Sequence, residues 1–278
     1  KAPRLHAAGV TLGLWPHVWH RPRETTAARL LSCCFYRQKP FRPILRALEN
    51  AASAMRDELL AMLGRVVDGD AEETNSWYTN QEGIARRSSD WLQRHIGCER
   101  EILEGGRLVI KPRAAEHICT AVLSAMGWYY GSGDRVGTPE DKVDKYYGKA
   151  CLSLLGPGAH VKSHTGPVNE RVVFSLGLSG NLDESELRVG TIKRRWREGK
   201  AIIFDDSLEH EVRVQNGTEP RAVLIMHVLH PQLMPLGTNG RRLADSLEAD
   251  GSDYASQACE EGNFGMVDWA ETTSMDTP

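Results

Sequence analysis

Apolar positions in this chain follow a helical period before residue 146 and a strand period after it. Over residues 41–66, Ile44, Leu48, Ala51, Met55, Leu59 and Met62 recur at steps of three or four, which predicts one amphipathic helix. Residues 114–127 (AAEHICTAVLSAMG) predict a second helix ended by Gly127. The intervening stretch, 67–113, is polar and irregular, with weak strand signals such as 107–110. From 151 to 230 the apolar runs become short: 151–155, 171–178, 187–189, 201–204, 211–214 and 222–229. Gly, Pro, Asn and Asp separate them, as expected of antiparallel strands. Roughly seven or eight such strands predict a sandwich or jelly roll.

The expected architecture is therefore mainly β with flanking helices, built on a double-stranded β-helix (jelly roll, cupin-like). Residues 1–146 form a helical and irregular flank packing on the barrel, 147–235 the core, and 236–278 a loose tail rich in Gly, Ser, Asp, Glu and Thr.

Composition narrows the function classes. The chain has 278 residues, 41% hydrophobic and 26% charged, which is ordinary for a globular protein. Its net charge of −3 gives no electrostatic reason to expect a nucleic-acid partner. Charge is uneven: residues 1–66 carry a net +7 and residues 237–278 a net −7. These ends are expected as solvated flanks. The longest apolar candidate, 7–20, is broken by Pro16 and His17, so no membrane span is expected. The chain starts at Lys1 rather than Met, as a fragment or processed product would, so a missing leader proves little. The six cysteines (Cys33, Cys34, Cys98, Cys119, Cys151 and Cys259) show no zinc-type spacing and suit either buried thiols or one or two disulfides. Asn216-Gly217-Thr218 is a glycosylation acceptor triplet, equally explained as a turn.

The chemistry concentrates between His160 and His230. His164 stands at a strand-like edge, His210 lies 46 residues later at another, and Arg221 opens the last apolar run. Two histidines and a later arginine on such a barrel suit a non-haem Fe(II) oxygenase, the histidines holding iron and the arginine forking onto a dicarboxylate. The usual third ligand is a carboxylate two positions after the first histidine, where alternation points both side chains the same way. Here that position is Gly166. Spacing alone does not single out this pair among ten histidines.

A denser pattern does. His164-Thr165-Gly166-Pro167-x-Asn169, Trp196-x-Glu198-Gly199-Lys200, Phe204-Asp205-Asp206-Ser207-x-Glu209-His210-Glu211-Val212, Arg221 and His230-Pro231 follow one another in order. This set resembles the catalytic domain of the aspartyl/asparaginyl β-hydroxylase family. The likeness is dense over 151–233 and fainter over 41–63 and around Trp77 and Cys119. The resemblance implies an Fe(II)/2-oxoglutarate dioxygenase using O2, with His164 and His210 as the two iron ligands and glycine at the third position. It implies that Arg221, helped by the Ser153 hydroxyl, takes the distal carboxylate of 2-oxoglutarate. It implies a catalytic role for Asp206 in holding metal-bound water, while a tight turn at Asp205-Asp206-Ser207 is the other reading. Direct ligation by Asp205 or Asp206 stays open. His160, His227 and His230 are expected to be structural.

Two departures stand out. Where the family places Arg-x-His to touch the proximal carboxylate, this chain has Val173 and Ser175. Arg171 or Ser175 is the candidate substitute in part, since 171, 173 and 175 share a strand face; the alternative is that iron alone holds the 1-carboxylate. Only Cys119 has a counterpart in the cysteine pair that brackets a loop in animal members, and the helical repeats that often precede the domain are missing from this chain.

By the resemblance, the reaction hydroxylates the β-carbon of Asp or Asn in a peptide or protein, such as a small disulfide-rich domain, releasing succinate and CO2. Other branches imply a lipid or small-molecule substrate. An open third metal position also suits a halogenase, and a catalytically inactive barrel acting as a binding module is the reading from another class. The resemblance places a eukaryotic member in or on the endoplasmic reticulum, and a bacterial one in the cytoplasm.

Overall fold

The computed structural model describes residue 30 and residues 32–79, 91–96, 99–102, 108–111, 115–130, 148–215 and 217–248. The apolar stretch 7–20, Asn216, Cys98, Cys259 and everything beyond 248 lie outside the described residues.

Helices α1 (Arg42–Asn50), α2 (Ala52–Val67) and α3 (Ala71–Asn75) come first, followed by strands β1 (Tyr78–Thr79), β2 (Trp91–Ile96), β3 (Glu99–Ile102) and β4 (Leu108–Lys111). Helix α4 (Glu116–Tyr130) precedes the main run of strands: β5 (Lys149–Leu155), β6 (His160–His164), β7 (Arg171–Ser179), β8 (Ser185–Val189), β9 (Ile192–Arg195), β10 (Ala201–Phe204), β11 (His210–Val214) and β12 (Arg221–Leu229). A 3-10 turn at Pro231–Leu233 leads to helix α5 (Asn239–Glu248). The larger sheet has the order β1-β2-β5-β12-β7-β10 and the smaller β6-β11-β8-β9, with antiparallel pairing throughout. From β5 onward the chain crosses repeatedly between these sheets, which is the winding of a double-stranded β-helix.

Strand alternation sorts the larger sheet into two faces. Leu152 and Leu154 of β5, Val172, Phe174 and Leu176 of β7, and Leu224 and Met226 of β12 join one core with Ile44, Leu48, Met55 and Leu59 of the helices. Their sequence neighbours point the other way. Leu155, Val173 and Val223 join Val161, Leu187, Trp196 and Val212 in a second core between the sheets. Each fully buried Leu or Phe contributes roughly 1.5–3 kcal/mol. Slipping one strand by a residue would forfeit several such terms at once, which fixes the register and hence the inward positions 153, 175 and 221.

Four local expectations need correction. The single helix expected over 41–66 divides at Ala51, which sits at φ −92°, ψ −1°. Gly127 does not end α4. The helix runs on to Tyr130 because Tyr129 donates its hydroxyl to the Leu229 carbonyl (2.7 Å) and the Tyr130 oxygen accepts from the Leu229 amide (3.0 Å). Part of the irregular stretch 67–113 is β2, which pairs with β5 all along its length. Its apolar signal was diluted because Arg94 is buried, reaching Glu73 at 3.3 Å. The expected loose tail begins as helix α5, with Ala244 and Leu243 buried and Asn239 donating to the Trp128 carbonyl at 2.8 Å.

Candidate active site

Pairing of β6 with β11 places His210 directly opposite His164, at the point where the register shifts between His210 and Val212. Their ring centroids are 4.2 Å apart. Each Nδ1 lies 2.8 Å from the backbone carbonyl two residues earlier, Lys162 for His164 and Leu208 for His210. A carbonyl only accepts, so Nδ1 carries the proton in both rings and each Nε2 presents a lone pair. Burial, and then the neighbouring His164, pull the His210 pKa down to about 3, so its imidazole is neutral at ordinary pH. Two adjacent imidazoles, each bonded at Nδ1 to a carbonyl behind it, are an arrangement that suits a divalent transition metal.

Gly166 is explained by Asp206. A Cβ at 166 would overlap the Asp206 carboxylate, standing 2.6 Å from its Cγ, and the Gly166 amide donates to the Asp206 carbonyl at 2.5 Å. The carboxylate thus occupies the space that a ligand side chain at 166 would need. Asp206 is itself clamped by Arg171, whose Nε lies 3.1 Å from each oxygen and whose Nη2 also pairs with Oδ2. Burial pushes the Asp206 carboxyl up, but Arg171 outweighs it and holds the group below the ordinary carboxylate value. Asp205 turns elsewhere: Ser207 donates to it through both amide (2.8 Å) and hydroxyl (2.5 Å), and Ser32 through its hydroxyl (2.5 Å). Asp205 thus builds the turn, while Asp206 is turned to Arg171 beside Gly166. Among the described residues no three His, Cys, Asp or Glu side chains gather into a metal site, which leaves a metal the two imidazoles and open positions beyond them.

A slot of about 80 Å³ runs from these rings into the barrel, lined by Trp91, Ser153, Ser175, Trp196, Phe204 and Arg221 among others. Arg221 is 2% exposed, its Cζ lies 4.4 Å from the Trp196 ring centroid, and its Nε and Nη1 have no hydrogen-bond partner among the described residues. Burial alone drops its pKa to about 9. Two indoles prepare the serines beside it. Trp91 Nε1 donates to Ser153 Oγ at 3.0 Å, and Trp196 Nε1 donates to Ser175 Oγ at 2.9 Å. Each hydroxyl accepts from an indole and keeps its own proton to donate to a ligand in the slot.

Of the sequence candidates, His164, His210, Ser153, Ser175 and Arg221 line one cavity. Arg171 does not: its guanidinium is directed to Asp206, so it positions that carboxylate instead of substituting at the proximal end of a diacid. Val173 is buried between the sheets. His230 is fully buried, accepts from the Gln232 amide at 3.2 Å and lies 3.4 Å from the Tyr36 hydroxyl, a structural role as expected. Glu198 pairs with Arg56 of α2, fastening helix to hairpin. Sequence reasoning missed Trp91 and the placement of Trp196 over Arg221. For Trp91 the only signal was its place at the head of the unrecognised strand.

The fold and this cavity define a cupin-like double-stranded β-helix with a two-histidine, one-arginine site. Residues 136–231 match the family model described as aspartyl/asparaginyl beta-hydroxylase, and the chain belongs to that family. The human aspartyl/asparaginyl beta-hydroxylase is 42% identical over 80% of this chain and 24% of its own length. The ornithine lipid ester-linked acyl 2-hydroxylase of Rhizobium tropici is 38% identical over 31% of each chain. This chain thus spans about a quarter of the length of the human relative. A prolyl-4-hydroxylase of Pseudomonas putida superposes with a TM-score of 0.39 and 13% identity, over 65% of this chain and 87% of that one.

Proposed function

We propose that this chain is an Fe(II)- and 2-oxoglutarate-dependent hydroxylase. The observation that carries the reading is Arg221, a buried cation with two donors unpaired among the described residues, lining the same slot as the paired imidazoles. An uncompensated buried charge costs several kcal/mol, so its retention calls for an anionic ligand. One carboxylate of 2-oxoglutarate would fork onto Arg221 with Ser153 or Ser175 beside it and the other would lie toward the imidazoles, since these five side chains line the same slot.

His164 and His210 would hold the ferrous ion, which when bound supplies the oxidation of an unactivated carbon by O2, coupled to conversion of 2-oxoglutarate to succinate and CO2. The protein's own work is positional. The backbone carbonyls of Lys162 and Leu208 hold the imidazoles in their ligating tautomers. Trp91 and Trp196 donate to the Ser153 and Ser175 hydroxyls, which would in turn donate to the diacid. Phe204, whose ring lies 5.6 Å from that of His210, and Val161, Leu187 and Val212 exclude water. Asp206, immobilised by Arg171, offers an acceptor for a metal-bound water.

The proposed substrate is an Asp or Asn side chain, hydroxylated at the β-carbon, in a peptide or protein; a small disulfide-rich domain is one such partner. Family membership and the human relative support this choice, while the Rhizobium relative keeps lipid acyl chains as the second reading. Asp206 argues against a halogenase, since its carboxylate lies where Gly166 would otherwise leave room for an anion. The unpaired Arg221 argues against an inactive binding module. Cys33 and Cys119 each take part in a disulfide, which supports an oxidising compartment such as the endoplasmic reticulum lumen. No helix among the described residues is long and apolar enough to cross a membrane. The deciding experiment is succinate formation from 2-oxoglutarate. It should require Fe(II) and vanish in His210→Ala; unchanged turnover in that variant would refute the assignment.

A further inference from the structure

Strands β9 and β10 also border a second concavity of about 600 Å³. Trp196 and Phe204 face the slot, while Phe35, Ile202, Arg194, Arg195, Arg197 and Lys200 line this groove. Its lining includes five cationic side chains, Lys193 being the fifth, and a single carboxylate, Glu186. Lys193 pairs with Glu186 and Lys200 with Glu49, each at 2.8 Å. Arg195 and Arg197 are exposed and make no ion pair among the described residues. Arg194 lies over the Phe35 ring at 5.1 Å, giving the groove an aromatic floor beneath its charge.

The backbone adds a second, independent feature. β9 is the last strand of the smaller sheet; β8 pairs with one of its edges, and the other edge is unpaired among the described residues. Lys193 and Arg195 occupy alternate positions on β9, about 6.8 Å apart along that edge, and Arg197 follows just past the strand's end beside the inward-facing Trp196. That spacing is also the repeat of same-side residues in an extended peptide.

We propose that this groove docks an extended acidic peptide as an added strand along β9, with carboxylates at every second residue pairing with Arg195 and Arg197. Strand addition takes its affinity from main-chain hydrogen bonds and its selectivity from alternate side chains. A concave channel bounded by a strand edge fits such a chain, whereas an anionic membrane surface would ask for a convex or flat basic patch. The groove carries this inference independently of the chemistry assigned to His164 and His210.

The test is fluorescence anisotropy on the whole chain with a labelled peptide alternating Glu and Thr. A peptide of the same composition with its Glu residues in one block, the alternating peptide with backbone N-methylation, and phosphatidylglycerol vesicles serve as comparisons. The alternating peptide should bind, and its Kd should rise at least tenfold in Arg195→Glu/Arg197→Glu, in the block arrangement and on N-methylation. The milder Arg195→Ala/Arg197→Ala pair should weaken binding in the same direction while keeping the wild-type melting temperature and succinate formation without peptide. No binding of the alternating peptide, equal binding by the charge-reversed variant, equal binding of the block peptide, or capture of vesicles in place of peptide would each overturn the proposal.

Discussion

His164 and His210 are register partners across β6 and β11, and each ring is held from behind by the carbonyl two residues before it in the chain. The sheet itself therefore brings together two residues 46 apart in sequence and sets their tautomers. Replacing either histidine by Ala should abolish metal uptake and succinate formation while costing only about 0.5–1.5 kcal/mol of stability, the worth of one ordinary hydrogen bond. Metal content and thermal melting of each variant check this together. Collapse of the fold would show that the rings serve packing instead.

Arg221 should show opposite effects on stability and binding. Arg221→Met removes a buried, unpaired charge at nearly constant volume, so the metal-free protein should be stabilised by about 1–4 kcal/mol. The same change should weaken 2-oxoglutarate binding by about 2–5 kcal/mol, at least 30-fold. Melting curves and calorimetric titration on one preparation read both signs. A variant that is less stable, or that binds the diacid normally, contradicts the role assigned to this residue.

Much of this architecture was legible beforehand, for physical reasons that differ by element. The strands from β5 to β12 bury whole apolar runs, and these stand out between turn residues. The candidate metal and diacid residues lie in a dense linear pattern around two of those strands. β2 was hidden because its buried Arg94 is satisfied by Glu73, a partner 21 residues away that no local pattern reveals. The role of Arg171 was misassigned for a similar reason: alternation showed which face it occupies, but the carboxylate it meets comes from the turn after β10. The reason for Gly166 emerged only when Asp206 was seen to fill its space.

That crowding gives a third prediction. Gly166→Ala should destabilise the protein by about 1–3 kcal/mol, as overpacking does, because Arg171 leaves the Asp206 carboxylate little room to move. Gly166→Asp should not create a better three-ligand site, since the new carboxylate would meet Asp206 as a like charge. Melting temperature and metal affinity measure both; tighter metal binding by the Asp variant would contradict the account.

The pair Arg171–Asp206 predicts a pH dependence. The Asp206 carboxyl is held below its ordinary value of 3.8, so the folded state favours its charged form. The resulting stability is fully present above about pH 4 and is lost as pH falls through the lower folded value. Arg171→Met leaves the carboxylate buried without its partner and should cost about 3–5 kcal/mol at neutral pH, less in acid. Urea unfolding of both proteins between pH 3 and pH 7 checks the sign. A difference that grows as pH falls would reverse it.

The most direct test of the central claim is anaerobic equilibrium dialysis against Fe(II) in the presence of 2-oxoglutarate. One ferrous ion per chain should be retained by the native protein and none above background by His164→Ala or His210→Ala. Equal retention by native and variant proteins, or no retention by either, would contradict a two-histidine metal site.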